Sequence, residues 1–199
     1  MRLRQSAIWL AVLGVLVLQG PSPLAHITPP VVLLSEREAV LGMTGGATKF
    51  FVREVRLTSA ERDTMEQQWR WRPEDEIYRF YIGRDDAGNL VAAVTFLTEF
   101  TIHGPVRVAV GLGPDGAVKD TRVVELTEET FPWLQPLLDQ NFTRDYIGRG
   151  SQASFGLHER LMRTAPNSMS QFYGQIVTSL IQRAAALFEV TVRKRDGKV

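Results

Sequence analysis

The chain has 199 residues, of which 44% are hydrophobic and 23% are charged, and its formal net charge is +1. This composition is typical of a folded globular domain and excludes an intrinsically disordered chain. The near-neutral charge gives no electrostatic basis for binding nucleic acid. The absence of cysteine excludes disulfides, Cys-ligated iron–sulfur clusters and thioether-attached haem. The three histidines are far apart and form no HExxH motif, so we expect no metal site.

The N-terminus has the layout of a secretory signal. Arg2 and Arg4 precede an apolar run at residues 7–18, AIWLAVLGVLVL, and a polar, turn-forming break follows at residues 19–23. The run is shorter than the ~20 residues of a typical membrane span. Cleavage after Ala25 would place Pro23 where a small residue is preferred. We therefore expect residues 1–25 to be either a signal peptide or a membrane anchor, and the protein to be exported, in the periplasm or at the outer face of the cytoplasmic membrane.

Two capping boxes predict helices in the next part of the chain. Ser35-x-x-Glu38 begins a short helix, so residues 26–48 are expected to form a linker, stiffened by Pro29-Pro30, and this helix. Residues 49–57, KFFVREVRL, predict a strand. Thr58-x-x-Glu61 then begins a second helix that reaches about Trp69.

Four further strands are predicted between residues 76 and 126. The turn-forming segment at residues 85–89, DDAGN, separates the first two, at 76–83 and 90–100. Residues 106–112 alternate between apolar and other residues, as in a half-buried strand, and the turn at 113–116, GPDG, leads into its partner at 117–126. The order of elements predicts an α+β fold, a twisted antiparallel sheet with helices packed on it.

The C-terminal part of the chain is predicted to be mainly helical. A short helix runs through Leu138, an aromatic turn follows at residues 142–148, and a loop-like segment at 150–162 precedes a long helix. Apolar residues at helical spacing predict that the buried stripe of this helix runs from Phe172 to Phe188. A basic cluster between Arg193 and Lys198 predicts a solvated tail at residues 191–199, which leaves residues 49–190 as the domain.

Three segments in this order carry a resemblance to a known family. They are GPVRVAVGLGPDGAVKDTRVVELTEET at residues 104–130, FTRDYIGR at 142–149 and NSMSQFYGQIVTSLI at 167–181. Together they resemble the FMN-binding domain family, which includes the flavin subunits of Rnf and sodium-pumping quinone reductase complexes, and look most like its small exported members. The resemblance implies FMN as cofactor and membrane-associated redox proteins as partners. It also implies that Glu129 and Thr130 lie at the edge of the flavin.

The attachment motif of that family, Ser/Thr-Gly-Ala-Thr-x-Thr/Ser, aligns with residues 164–170, TAPNSMS. The resemblance implies that Asn167 occupies the position of the threonine whose hydroxyl forms a phosphoester with FMN. Asn167 has no hydroxyl, while Ser168 and Ser170 have hydroxyls but lie out of register. A helix N-terminus attracts phosphate through its N–H groups and its dipole, so Asn167, Ser168 and Ser170 are candidate phosphate ligands. The same residues also serve as ordinary helix caps.

The expected function is electron transfer by an extracytoplasmic protein that binds FMN without a covalent bond. No catalytic residue is assigned, because no Ser-His-Asp order or carboxylate pair stands out. The alternative is a domain without flavin that serves as a structural or interaction subunit of a membrane redox complex, and the altered attachment motif motivates it. A third possibility is a binding domain for another small ligand.

Overall fold

A computed structural model describes residues 28–156 and 159–196. The elements are β1 (Pro30–Val32), α1 (Glu36–Met43), β2 (Lys49–Val55), α2 (Ser59–Trp69), β3 (Tyr78–Arg84), β4 (Leu90–Thr101), β5 (Gly104–Leu112), β6 (Val118–Thr127), α3 (Phe131–Asp139), a 3-10 helix (Phe142–Tyr146), α4 (Glu159–Thr164) and α5 (Ser168–Phe188). A π-helical turn (Glu189–Arg193) and a last helical turn (Lys194–Asp196) follow α5. The predicted signal or anchor segment, residues 1–25, lies outside the described residues.

The six strands form one antiparallel sheet in the order β1-β6-β5-β4-β3-β2. The α+β fold with an antiparallel sheet and helices is therefore confirmed. Both predicted capping boxes are formed, since Ser35 caps α1 together with Glu38 and Thr58 caps α2 together with Glu61. Within the described residues, no helix is long and apolar enough to span a bilayer.

The strand β1 differs from the prediction of a linker around Pro29-Pro30. Its three residues pair with β6 at one edge of the sheet, where Pro30 is opposite Thr127. Proline is compatible with this place because the first residue of an edge strand does not have to donate a ladder hydrogen bond. A strand of three residues is too short to produce a period-2 pattern, so the sequence did not indicate it.

The two faces of the sheet carry cores of very different size. Helices α2, α3 and α5 cover one face, where a large cluster of buried residues includes Phe80, Val108, Ile181 and Phe188. The short helix α1 covers part of the other face over a small cluster of Ala39, Met43, Val94, Ala109 and Val124. The side chains that alternate along β4 and β5 divide between these clusters, as the period of a strand requires.

The packed part of the chain continues beyond α5. Val190, Thr191 and Val192 in the π-helical turn are buried, and the Arg195 guanidinium donates to the Glu61 carboxylate of α2. Residues 190–195 therefore belong to the domain, although the sequence predicted a solvated basic tail from residue 191. The apolar residues of VTVR continue the stripe of α5 and keep this segment on the core.

Candidate functional site

An open groove lies between the β4–β5 hairpin and the N-terminal half of α5. Its volume is about 620 Å³, within the range of about 300–1,000 Å³ that is usual for small-molecule sites. Apolar side chains dominate its lining, with Phe100 and Ile102 from the hairpin and Met169, Phe172 and Ile176 from α5.

The hairpin presents its apolar side chains to solvent. Ile102 is 95% exposed and Phe100 is 80% exposed, whereas such side chains are usually buried. Gly104 has a φ of +99°, and a Cβ atom there would lie 2.4 Å from Cγ2 of Thr127. Only glycine fits this close approach, so Gly104 fixes the path of the hairpin over β6. The Thr101 hydroxyl donates to the Gly104 carbonyl at 2.8 Å and holds the turn closed.

A histidine that lines the groove is paired with a carboxylate behind it. Nδ1 of His103 lies 2.6 Å from Oε1 of Glu129, and both side chains are partly exposed. The Thr28 hydroxyl also approaches the Glu129 carboxylate, at 3.5 Å. His103 lines the groove, its Nδ1 is engaged by Glu129, and its other ring nitrogen, Nε2, has no hydrogen-bond partner among the described residues.

Aromatic rings pack against the His103 side chain. The rings of Trp133 and Tyr173 stack at 5.4 Å, and the His103 ring meets the edge of Trp133 at 4.9 Å. The Thr101 hydroxyl already donates to Gly104, so Tyr173 donates to Thr101 across 3.1 Å. Burial raises the pKa of Tyr173, and the Glu129 carboxylate acts in the same direction. Tyr173 is therefore a neutral donor that ties α5 to the hairpin.

Thr130, the second residue predicted at the flavin edge, has a structural position. It is fully buried, and its hydroxyl lies 3.1 Å from the Thr127 hydroxyl and 3.1 Å from the Thr127 amide. Thr127 in turn donates to the His103 carbonyl at 2.7 Å. The structure thus brings Glu129 to His103, which lines the groove, while Thr130 stabilises the turn that carries Glu129.

The first turn of α5 uses its polar side chains internally. Asn167 is the N-cap, and its Oδ1 accepts from the Ser170 amide at 2.9 Å. The Ser170 hydroxyl is fully buried and lies 3.3 Å from the same oxygen. Ser168 is exposed at the first helical position. An anion at this helix start would therefore meet the Ser168 hydroxyl and the amides of Ser168 and Met169, which have no partner within the helix.

The apolar stripe of α5 does not lie wholly in the core, although the sequence predicted that it would. Phe172 is 50% exposed and Ile176 is only partly buried, whereas Tyr173, Val177 and Leu180 are buried. Phe172 and Ile176 form the margin of the stripe that faces the groove. A periodic pattern gives the width of an apolar face but does not tell which part of it the rest of the chain covers.

Sequence reasoning missed most of the groove. The sequence predicts that Phe100 ends a strand, and it indicates neither a role for Ile102 nor the ion pair between Glu99 and Arg183. The one available indication was the placement of two large apolar residues in the hairpin tip FTIHG, where polar residues are usual. Within the described residues, no three His, Asp or Glu side chains are grouped so as to hold a metal ion.

Comparison with protein families, with curated proteins and with solved structures gives no match for this chain.

Proposed function

We propose that the protein binds FMN without a covalent bond in the groove between the β4–β5 hairpin and α5, and that it transfers electrons outside the cytoplasm. The observation that carries this proposal is the position of the groove. An apolar slot lies directly beside the first turn of α5, where the family resemblance places the cofactor, and Glu129 from the same resemblance contacts His103, which lines the slot.

The residues present fit the two parts of FMN. The isoalloxazine ring is flat and needs an apolar slot, which Phe172, Met169 and Ile102 provide. Its polar edge needs hydrogen-bonding groups, and His103, held by Glu129, is placed to supply one. The phosphate needs donors, which the exposed start of α5 at Ser168 supplies together with the helix dipole.

The bound flavin would supply the redox chemistry, since it accepts and releases electrons. The chain's own residues hold and orient the ring, exclude water from one of its faces and fix the His103 ring through Glu129. No covalent attachment is expected, because Asn167 lacks a hydroxyl and the Ser170 hydroxyl is buried beneath the cap. Export, an N-terminal signal or anchor and a membrane-associated redox partner remain part of this proposal.

Titration of the purified protein with FMN tests the proposal. We expect quenching of flavin fluorescence that saturates, and a flavin that separates from the polypeptide when the protein is denatured. Phe172→Ala should weaken FMN binding at least tenfold. Phe50→Ala is the matched control, because Phe50 is also 50% exposed but lies on β2, away from the groove. A wild-type protein that neither carries nor binds FMN would overturn the proposal.

A second candidate function is that of an interaction subunit without flavin. The observation that favours it is the strong exposure of Ile102 and Phe100 at the hairpin tip, since such side chains often mark a contact surface. This alternative predicts a colourless protein that co-purifies with partners after mild detergent extraction. Recovery of the wild-type protein alone, with saturable FMN binding, would exclude it.

A further inference from the structure

The C-terminal part of β4 has one uncovered backbone edge. Strand β3 pairs with β4 only up to the contact of Phe80 with Thr95, whereas β5 pairs with β4 as far as Thr101. Among the described strands, none pairs with the other edge of residues 96–100, although β3 itself continues to Tyr78. An uncovered strand edge offers N–H and C=O groups to any extended chain that reaches it.

The divergence of β3 from β4 opens a second groove along this edge. Its volume is about 540 Å³, and residues 96–100 of β4 line it. Trp71 and Tyr78 line it on the side of the α2–β3 connection, and Leu180 and Arg183 of α5 line the other side. The two sides meet on the α5 face of the sheet, where the Arg183 guanidinium lies over the Trp71 ring, 5.4 Å from its centroid. An added strand would therefore lie at the edge of β4 beneath this contact.

Successive side chains of β4 along this groove point to opposite faces of the sheet. Leu97 packs in the core under α5 and Glu99 pairs with Arg183 of α5, while Phe96 belongs to the smaller core on the opposite face. Trp71 and Leu180 add apolar surface on the α5 side. An added strand would thus place alternate side chains against Trp71 and Leu180, which favours apolar residues at those positions.

The charges around the groove leave an acidic rim. Arg183 is paired with Glu99, and Arg72 is paired with both Asp63 and Glu66. The carboxylates of Glu74 and Asp75 also line the groove, and neither has an ion-pair partner among the described residues. Like-charged segments are therefore disfavoured, and a basic segment is complementary to this rim.

We infer that the open edge of β4 at residues 96–100 is a docking site for a partner protein, which adds an extended segment of alternating apolar and basic residues to the sheet. Main-chain hydrogen bonds to β4 supply the affinity, and the apolar wall and the acidic rim supply the specificity, as in other cases of strand addition. This groove adjoins the proposed flavin groove, with which it shares Glu99, Phe100 and Arg183, whereas Trp71, Glu74 and Asp75 line this groove and not the other.

Binding of a short synthetic peptide that alternates lysine and valine to the full-length protein tests the inference. Calorimetry gives the affinity, and hydrogen exchange reports the amides of residues 96–100. We expect saturable binding with protection of these amides. A peptide with glutamate in place of lysine should bind at least tenfold more weakly, and so should a peptide N-methylated along one edge, which cannot form the ladder.

A charge-reversal pair locates the site. Glu74→Lys combined with Asp75→Lys should weaken peptide binding at least tenfold. Glu128→Lys combined with Asp139→Lys is the matched control, because it changes the net charge equally at exposed positions away from the groove. Equal losses in the two double variants, equal binding of the N-methylated peptide, or no binding of the lysine–valine peptide would each overturn the inference.

Discussion

The two halves of α5 have the same helical periodicity but different surroundings. From Ala184 to Phe188 every residue is buried, and the burial continues through Val192. Near the start of the helix, Ser168 and Phe172 are exposed, and Met169 and Ile176 line an open groove. The C-terminal half is a structural element of the core, whereas the N-terminal half is anchored on one side only and leaves its other side free for a ligand.

The contrast arises from what packs against each half. The C-terminal half packs on the sheet, where the ring centroids of Phe188 and Phe80 of β3 are 6.0 Å apart. The N-terminal half lies beside the β4–β5 hairpin, to which Tyr173 ties it through Thr101. Phe172 and Phe188 have the same side chain, and the elements packed around each of them decide that the first is exposed and the second is buried.

The largest expected effect is at the C-terminal half. Phe188→Ala removes a ring that is 1% exposed and leaves a cavity against Phe80. Truncation of a buried phenylalanine costs about 3–5 kcal/mol of the free energy of unfolding. Urea unfolding followed by circular dichroism measures it. A loss below about 1 kcal/mol, smaller than most core truncations, would show that this half is not the structural half.

A second substitution tests the hairpin that forms the wall of the groove. Gly104→Ala places a Cβ atom at a φ of +99° and against Thr127. Backbone strain of this kind costs about 1–3 kcal/mol. We expect lower stability in urea, with the Thr127 and His103 contacts disturbed. Gly88→Ala serves as a control for φ alone, since Gly88 also has a positive φ but no heavy atom within 4 Å of its added Cβ.

The cap at the start of α5 is expected to contribute less. Asn167→Ala removes the acceptor of the Ser170 amide and should cost about 1 kcal/mol. Asn167→Asp keeps the acceptor and should retain most of that stability. If Asn167→Ala leaves the urea midpoint unchanged, the side chain does not act as the cap.

The ion pair between Glu61 and Arg195 predicts that the stability of the protein depends on pH. Burial pushes the pKa of Glu61 upwards, but hydrogen bonds from Arg195 and Thr58 outweigh it, and the net pKa lies below the usual 4.5. A carboxyl group whose pKa is lowered by folding stabilises the protein above its unfolded pKa, and this contribution is lost as pH falls through the lowered folded pKa. Glu61→Gln should reduce the loss of stability in acid, measured as the urea midpoint from neutral pH to about pH 3. If Glu61→Gln loses as much stability in acid as the wild-type protein does, this role of Glu61 is contradicted.

The smallest effect on stability is expected at the groove itself. Phe172→Ala should change the free energy of unfolding by about 0.5 kcal/mol or less, as is usual for exposed positions. Phe172→Ala and Phe188→Ala together test the difference between the two halves of α5 most directly, because the two residues lie on one helix and differ mainly in burial. A large loss at Phe172 would mean that the groove is part of the core.

The local elements could be predicted because short-range rules fix them. Capping boxes at Ser35 and Thr58, the GPDG turn and the stripe of α5 all depend on neighbours within a few residues. Strand β1 was missed because three residues carry no period, and the burial of Thr191 and Val192 was missed because a basic terminus resembles a solvated tail.

The candidate site could be predicted only in part, because its members come from distant parts of the chain. Glu129 was indicated, but its partner His103 is 26 residues away, and their contact depends on the close approach of β5 and β6 at Gly104. The hydroxyl of Ser170 was a candidate ligand, yet packing of α5 buries it. Sequence patterns do not contain these distances.

The sequence by itself determined the α+β class, most element positions and the start of the long helix, since these depend on local propensity and periodicity. Only the tertiary structure decided which apolar residues are covered. It placed Phe100, Ile102 and Phe172 around an open groove. It also ended the pairing of β3 with β4 at Thr95, which left the edge of residues 96–100 unpaired. The burial of a side chain depends on all the elements packed around it, and a local sequence pattern does not contain that information.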